Sequence, residues 1–273
     1  MKQNPRSDLA LERRRADPSV PGTLFSEEKE GGFTVSRLRI TEGEATEALG
    51  RGCGEYVTVS FPAVSLMGDS ERGALVRLLQ RELSVFYRRL CGEGLRELDV
   101  LLVGLGNARF TCDSLGPAVA ARLPATAHLR ELDPQLFRSL GCAGLRILVP
   151  GVLSDSGIEA AELTAALCER RGPALVIARD ALMARDPGRL LKTVQISDSG
   201  ISPGSGVGGG RARLDTDTLG IPVLAIGVPT VIDYPELGNE PMLVTPREIE
   251  GELSAVSELL ARALSELLHL PPL

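Results

Sequence analysis

Residues 175–230 read LVIARDALMARDPGRLLKTVQISDSGISPGSGVGGGRARLDTDTLGIPVLAIGVPT, and their reading decides the fold. The stretch opens on an apolar run, residues 175–178, and delivers a carboxylate, Asp180, just beyond that run's carboxyl end. Open α/β sheets place ligands and chemistry at that edge. A second strand-like run, residues 193–196, leads into Ser197-Asp198-Ser199-Gly200 and a loop with six glycines between Gly200 and Gly210. A third run, residues 221–228, closes the stretch. Structureless loops beyond about 12–15 residues are uncommon unless functional or disordered. Glycine beside small hydroxyls and carboxylates favours function over the plainer reading of a mobile surface loop.

Working outward, 273 residues with 43% hydrophobic content and a net charge of −6 fit one globular α/β domain. Basic and acidic residues are interspersed, which argues against a dedicated nucleic-acid or membrane surface. The cluster Arg13-Arg14-Arg15 reads as a solvated charge run. Cys53, Cys91, Cys112, Cys142 and Cys168 form no CxxC pair, and their odd number fits free thiols in a reducing compartment. The N-terminus lacks an apolar signal region, and no segment approaches the roughly 18 apolar residues of a membrane span. A soluble, cytoplasmic protein is expected.

Residues 1–31 are polar, charged and broken by Pro5, Pro18, Pro21, Gly31 and Gly32, and are expected to form a flexible arm ahead of a single α/β domain over 32–273. Alternation at Phe33, Val35, Leu38 and Ile40, and again over residues 55–61, predicts a small β-rich N-terminal element. A helix follows from Asp69 or Ser70 to about Leu90. Buried strands are expected at residues 98–103 and 145–149, separated by helices and followed by another helix over residues 158–171. Strands alternating with helices imply βαβ units and a mostly parallel twisted sheet flanked by helices. The sequence Thr245-Pro246-Arg247-Glu248 predicts a capping box opening the last helix, which runs to about His269.

Asp113 and Asp180 each follow a predicted strand among small residues, so a parallel sheet brings both to one edge. Paired carboxylates split their pKa values and supply an acid and a base for activating water. The competing reading makes each a helix cap, Asp113 after Gly116 and Asp180 over residues 181–184. Gly200-Ile201-Ser202-Pro203-Gly204 matches G-x-S-x-G, with Asp233 and His269 in hydrolase order, but lacks the strand–turn–helix context a nucleophile elbow needs. His128 with Asp113 and Asp180 would suffice for a divalent metal site with open positions. Cys112 reads as an inert thiol, and Arg179 as a charged neighbour able to lower the pKa of Asp180.

The blocks ISDSGISPGSGVGGGR and TLGIPVLAIGVPTVID, with VGLGN, T-x-D-S-L-G-P, VPGV, SGIEA and VIARDALMAR, resemble the germination protease family of spore-forming bacteria. Arg6-Ser7-Asp8-Leu9-Ala10-Leu11-Glu12 is similar to that family's R-T-D-L-A-x-E segment, and the likeness runs in order over most of the chain. The resemblance implies an endopeptidase that degrades small acid-soluble spore proteins, made as a zymogen and assembled as a homotetramer in the forespore or spore core. It implies a fold similar to the hydrogenase-maturation endopeptidases, of the phosphorylase/hydrolase-like type, and an active-site aspartate pair matching Asp113 and Asp180. Activation would cut between Asp8 and Leu9, releasing a propeptide of residues 1–8. The hydrogenase relatives grip a metal with related carboxylates, which keeps metal assistance open. Residues lining the substrate and stabilising an oxyanion are expected at Asn107, Ser197, Asp198, Ser199, Gly204, Ser205 and Gly206. A non-catalytic module gripping an acidic peptide or anion on the same fold is the rival reading. One departure from the family pattern is a short link, residues 234–243, where the family usually carries a long insertion.

Overall fold

The computed structural model describes residues 7–41, 43–92, 98–203, 212–234 and 242–272. In chain order these form α1 (Ala10–Ala16), β1 (Thr23–Glu30), β2 (Phe33–Ile40), α2 (Gly43–Leu49), β3 (Gly54–Ser60), α3 (Asp69–Cys91) and β4 (Asp99–Leu105). There follow α4 (Leu115–Ala120), α5 (Leu129–Leu132), α6 (Pro134–Leu140), β5 (Gly144–Gly151), α7 (Leu153–Ser156), α8 (Ala160–Arg171), β6 (Leu175–Ala184) and β7 (Thr193–Ser197). The chain ends with α9 (Thr216–Leu219), β8 (Val223–Tyr234), β9 (Met242–Val244) and α10 (Ile249–Leu268). Among the described residues no helix is long and apolar enough to cross a membrane.

One sheet carries all the strands in the order β1-β2-β3-β7-β8-β6-β4-β5, with β9 added to the extension of β8. The fold is mixed α/β, a large sheet flanked by helices, but the sheet is not mostly parallel. Parallel pairing is confined to β5–β4–β6–β8, while β1–β2–β3–β7–β8 and β8–β9 are antiparallel. A parallel step needs a crossover of a dozen or more residues. Residues 185–192, between β6 and β7, hold only a 3-10 turn, so β7 returns antiparallel. The β-rich N-terminal element is therefore one flank of the same sheet.

Apolar packing encloses the parallel half on both faces, as its unbroken apolar strands require. On one face α3, α10 and α4 bury Leu79, Leu83, Leu260, Leu264 and Val119 against Leu102, Ile177 and Leu224. Each such leucine contributes about 1.5–3 kcal/mol by leaving water. On the other face α8 sets Ala161 and Cys168 against Leu101, Val103, Val176 and Ala178.

Within the stretch expected to be a flexible arm, residues 7–12 are buried. Leu9, Ala10 and Leu11 are buried, and α1 packs beside β2 and β3. Glu12 explains the docking: its carboxylate accepts from the Arg185 and Asp186 amides at 2.7 and 3.0 Å and from Ser7 Oγ at 2.5 Å. Gln195 Oε1 accepts from the Ala10 amide at 2.8 Å. Gly31 and Gly32, expected to close the arm, are the turn of the β1–β2 hairpin, both with positive φ as a two-residue turn of matching twist requires. The last helix also begins later than expected. Its N-cap is Glu248 with no side-chain cap, and Thr245 instead donates to the Thr230 carbonyl at 3.0 Å.

Candidate active site

Two strands outrun their neighbours. β4 and β5 stop at Leu105 and Gly151, whereas β6 and β8 continue to Ala184 and Tyr234 and form a ledge beyond that carboxyl edge. Asp180 thus sits inside β6, opposite Gly227 of β8, and neither ends the strand nor caps a helix. Its carboxylate is nearly buried, and Oδ1 accepts from the Ala181 amide at 2.9 Å. Arg179 precedes it, so strand alternation sends the guanidinium to the other face of β6. There it is completely buried, and none of its three nitrogens has a hydrogen-bond partner among the described residues. Burial pushes its pKa down to about 9, and the charge persists at neutral pH.

Asp113 is brought to the same edge by backbone packing. A Cβ on Gly104 would lie 2.6 Å from the Gly116 carbonyl oxygen, and one on Gly116 would lie 2.2 Å from that of Leu105. Glycine at both positions lets α4 rest directly on β4. Gly106, at φ +108°, then turns the chain so closely that its Cβ would sit 2.0 Å from the Asp113 carbonyl oxygen. The Asn107 amide donates to Asp113 Oδ2 at 2.9 Å. Thr230 Oγ1 donates to the Cys112 carbonyl at 2.6 Å, tying the 3-10 turn Thr111–Asp113 to β8. Burial first, and the Asp113 charge second, push the Cys112 thiol up, and this thiol, expected to be buried and inert, is half-buried in the cleft lining.

Asp113 and Asp180 converge on a cleft of about 270 Å³, walled by apolar side chains such as Phe110, Leu153, Leu182 and Leu243. Glu159, Ser202 and Asp8 also line it. Several other expected site residues lie elsewhere. Ser197 and Ser199 border a second cavity of about 30 Å³, where Ser199 Oγ donates to Tyr56 Oη at 2.6 Å. Asp198 faces away, accepting from the Glu55 amide and from Arg89, both at 2.7 Å. Asn107 spends its amide on Asp113, while its side chain accepts from the Arg109 amide at 2.9 Å. Gly204, Ser205 and Gly206 lie outside the described residues.

His128 is exposed at the N-terminus of α5 and does not line the cleft, so it does not join Asp113 and Asp180. Among the described residues no group of three or more histidine, cysteine or acidic side chains is placed to hold a metal ion. Ser202 reaches the cleft without a triad, since His269 is the C-cap of α10 and lines no part of it.

Sequence reasoning missed three neighbours of the site. Asp8, seen only as one side of a cleavage bond, forms part of the cleft wall. Arg51 binds it at 3.1 Å, and Thr230 anchors the Asp113 turn. None belongs to a local pattern that announces the contact.

A family model described as germination protease matches residues 4–241. The chain belongs to the germination protease family. It is 36% identical over 254 residues to the germination protease of Caldanaerobacter subterraneus subsp. tengcongensis, covering 92% of this chain and 76% of that one. Over 235 residues it is 37% identical to the germination protease of Bacillus cytotoxicus, covering 84% of this chain and 63% of the relative. The germination protease of Priestia megaterium is 38% identical over 229 residues, with 83% and 61% covered. The chain thus spans less than two thirds of the length of the Bacillus and Priestia members of the family.

Proposed function

We propose that this chain is an endopeptidase of spore germination that starts the degradation of small acid-soluble spore proteins in the spore core. The observation that carries the reading is the meeting of Asp113 and Asp180, from separate elements, in one apolar-walled cleft of about 270 Å³. Family membership supports the substrate class, and the nearby carboxylates support the chemistry. One carboxylate takes a proton from water as its oxygen bonds to the peptide carbonyl carbon. The other, protonated, gives its proton to the leaving nitrogen as the C–N bond breaks. Water and one peptide bond become one carboxyl and one amine, and the pair exchanges its protonation states.

The same reading makes the chain a zymogen activated between Asp8 and Leu9 and working as a homotetramer. Placement of Asp8 in the cleft wall supports the first point, because Asp8 then restricts the site until it leaves. Kinship with the hydrogenase-maturation endopeptidases belongs to this reading too, resting on the aspartates at a parallel sheet edge. A divalent ion held by Asp113 and Asp180 is the remaining mechanistic alternative.

The test is mass-spectrometric cleavage of a small acid-soluble spore protein by the trimmed chain and by its Asp113→Asn and Asp180→Asn variants, each with and without chelator. Cleavage lost in both variants, with unchanged melting temperatures and no chelator effect, is the expected result. Normal turnover by both variants would sink the aspartate pair, and chelator-sensitive cleavage would transfer the chemistry to a metal. No cut under any condition would leave a peptide-binding module.

A further inference from the structure

Asp8 is the partition between two cavities: it lines the main cleft and also the smaller chamber behind it, bordered by Arg51, Tyr56, Ser199 and Arg213. It lies along β6 in extended pairing, its amide donating to the Met183 carbonyl at 2.8 Å. Its carboxylate is gripped twice, by the Met183 amide on Oδ2 at 2.9 Å and by Arg51 Nη2 on Oδ1 at 3.1 Å. Arg51 Nη2 also donates to the Ser7 carbonyl at 3.1 Å, so among the described residues its acceptors belong to residues 7 and 8. Its side chain is only 15% exposed, and its Nε is buried without a partner among the described residues.

The surrounding cleft is acidic, with Asp113, Asp180 and Glu159 in its lining. Arg213, the other cation of the rear chamber, is already engaged by Asp215 at 2.7 Å and the Ser199 carbonyl at 3.0 Å. Removing residues 1–8 would therefore release one guanidinium and one strand amide, both largely buried and both stripped of acceptors. Leaving such groups unpaired is costly, and a carboxylate matches them in charge and in the fork geometry of arginine.

We infer that Arg51, with the Met183 amide, is the specificity-determining site for an acidic side chain of the substrate, and that Asp8 is the internal occupant it replaces. The inference rests on the peptidase reading for the identity of the ligand as substrate, and goes beyond it in naming the residue that selects it. A peptide takes the place of residues 7 and 8 beside Met183, where β6 runs past β4, with its aspartate or glutamate beside Arg51. The carboxylates of Asp113, Asp180 and Glu159 oppose a second acid beside them in the cleft.

The experiment uses the chain trimmed to begin at Leu9. Binding is measured first, by fluorescence polarisation, to the trimmed Asp180→Asn variant, with C-terminally amidated peptides MKQNPRSD and MKQNPRSN as probes. The aspartate peptide is expected to bind about 10–100-fold tighter than the asparagine peptide, as a charge-assisted pair replaces a neutral one. Arg51→Gln should abolish that preference and Arg51→Lys should retain part of it, with melting temperatures confirming that both variants fold. Equal affinity for the two peptides, or an undiminished preference in Arg51→Gln, overturns the inference. Turnover is then measured in the trimmed chain with intact Asp180, on peptides carrying Asp, Glu, Asn or Gln before a leucine. Cleavage with no acid preference overturns the role of Arg51 while leaving the peptidase reading intact. An Arg51-dependent binding preference without any cleavage supports the site and defeats the peptidase reading instead.

Discussion

Asp8 and Met183 are joined in both directions: the Asp8 amide donates to the Met183 carbonyl at 2.8 Å, and the Met183 amide donates to the Asp8 carboxylate at 2.9 Å. The N-terminal segment thus occupies the ledge formed where β6 runs past β4. Replacing Asp8 by alanine leaves the Met183 amide and the buried Arg51 guanidinium without that carboxylate. The expected loss is about 2–4 kcal/mol in urea denaturation, since breaking one side of a buried charged contact strands the other. Amide exchange at Met183 should accelerate in the same variant. An unchanged denaturation midpoint with unchanged exchange would show that the segment is not held this way.

Gly106 should tolerate no side chain. Alanine there must adopt φ +108° and place its Cβ 2.0 Å from the Asp113 carbonyl oxygen, so the turn carrying Asp113 has to move. A destabilisation of about 3 kcal/mol or more is expected from backbone strain and overpacking together, with cleavage lost in parallel. Chemical denaturation and a turnover assay on Gly106→Ala check both, and near-wild-type values for both would contradict the packing described.

The Thr230→Val variant probes the tie between β8 and the Asp113 turn. Valine keeps the shape and removes the donor to the Cys112 carbonyl, leaving a buried acceptor unmet. The expected cost is about 1–3 kcal/mol, with a fall in kcat as the turn carrying Asp113 is released. Unaltered kcat would mean that the glycine packing alone fixes Asp113.

Arg179 gives the pH-dependent prediction. Its pKa is pushed down to about 9 in the folded chain, well below the ordinary guanidinium value, because burial disfavours the charged form. Below pH 9 both folded and unfolded chains hold the proton, and the full burial cost is present. Above pH 9, and below the ordinary guanidinium pKa, the unfolded chain binds more protons, so this residue's penalty shrinks as pH rises. Arg179→Met should therefore raise stability at pH 7 by roughly 1–4 kcal/mol, and its advantage over the wild type should narrow above pH 9. Denaturation curves for both chains at pH 7 and pH 10 test this, and a destabilised variant at pH 7 would imply a hidden partner for the guanidinium.

Much of the architecture was legible in local pattern. Alternation marked β2 and β3, apolar runs marked β4 to β8, and the helical repeat of Leu253, Val256, Leu260 and Leu264 marked α10. These signals are local because burial of one face or two imposes its period directly on the sequence. Strand ends were less legible. β6 runs on through Asp180 because β8 continues beside it and supplies hydrogen bonds, a condition set by a neighbour distant in sequence.

Sequence by itself determined the family, the α/β class and the two aspartates as candidates, since blocks such as VIARDALMAR and the glycine-rich loop are contiguous. Tertiary structure alone decided that Asp113 and Asp180 share a cleft while His128 does not, and that Ser197 and Ser199 border a separate chamber. It alone turned residues 7–12 from an expected loose arm into a buried strap, with Asp8 against Arg51 and Met183. The physical reason is common to all of these. A carboxylate's partners are fixed by which strand lies beside which, and the antiparallel return of β7 and the overrun of β6 leave no periodic mark on the chain.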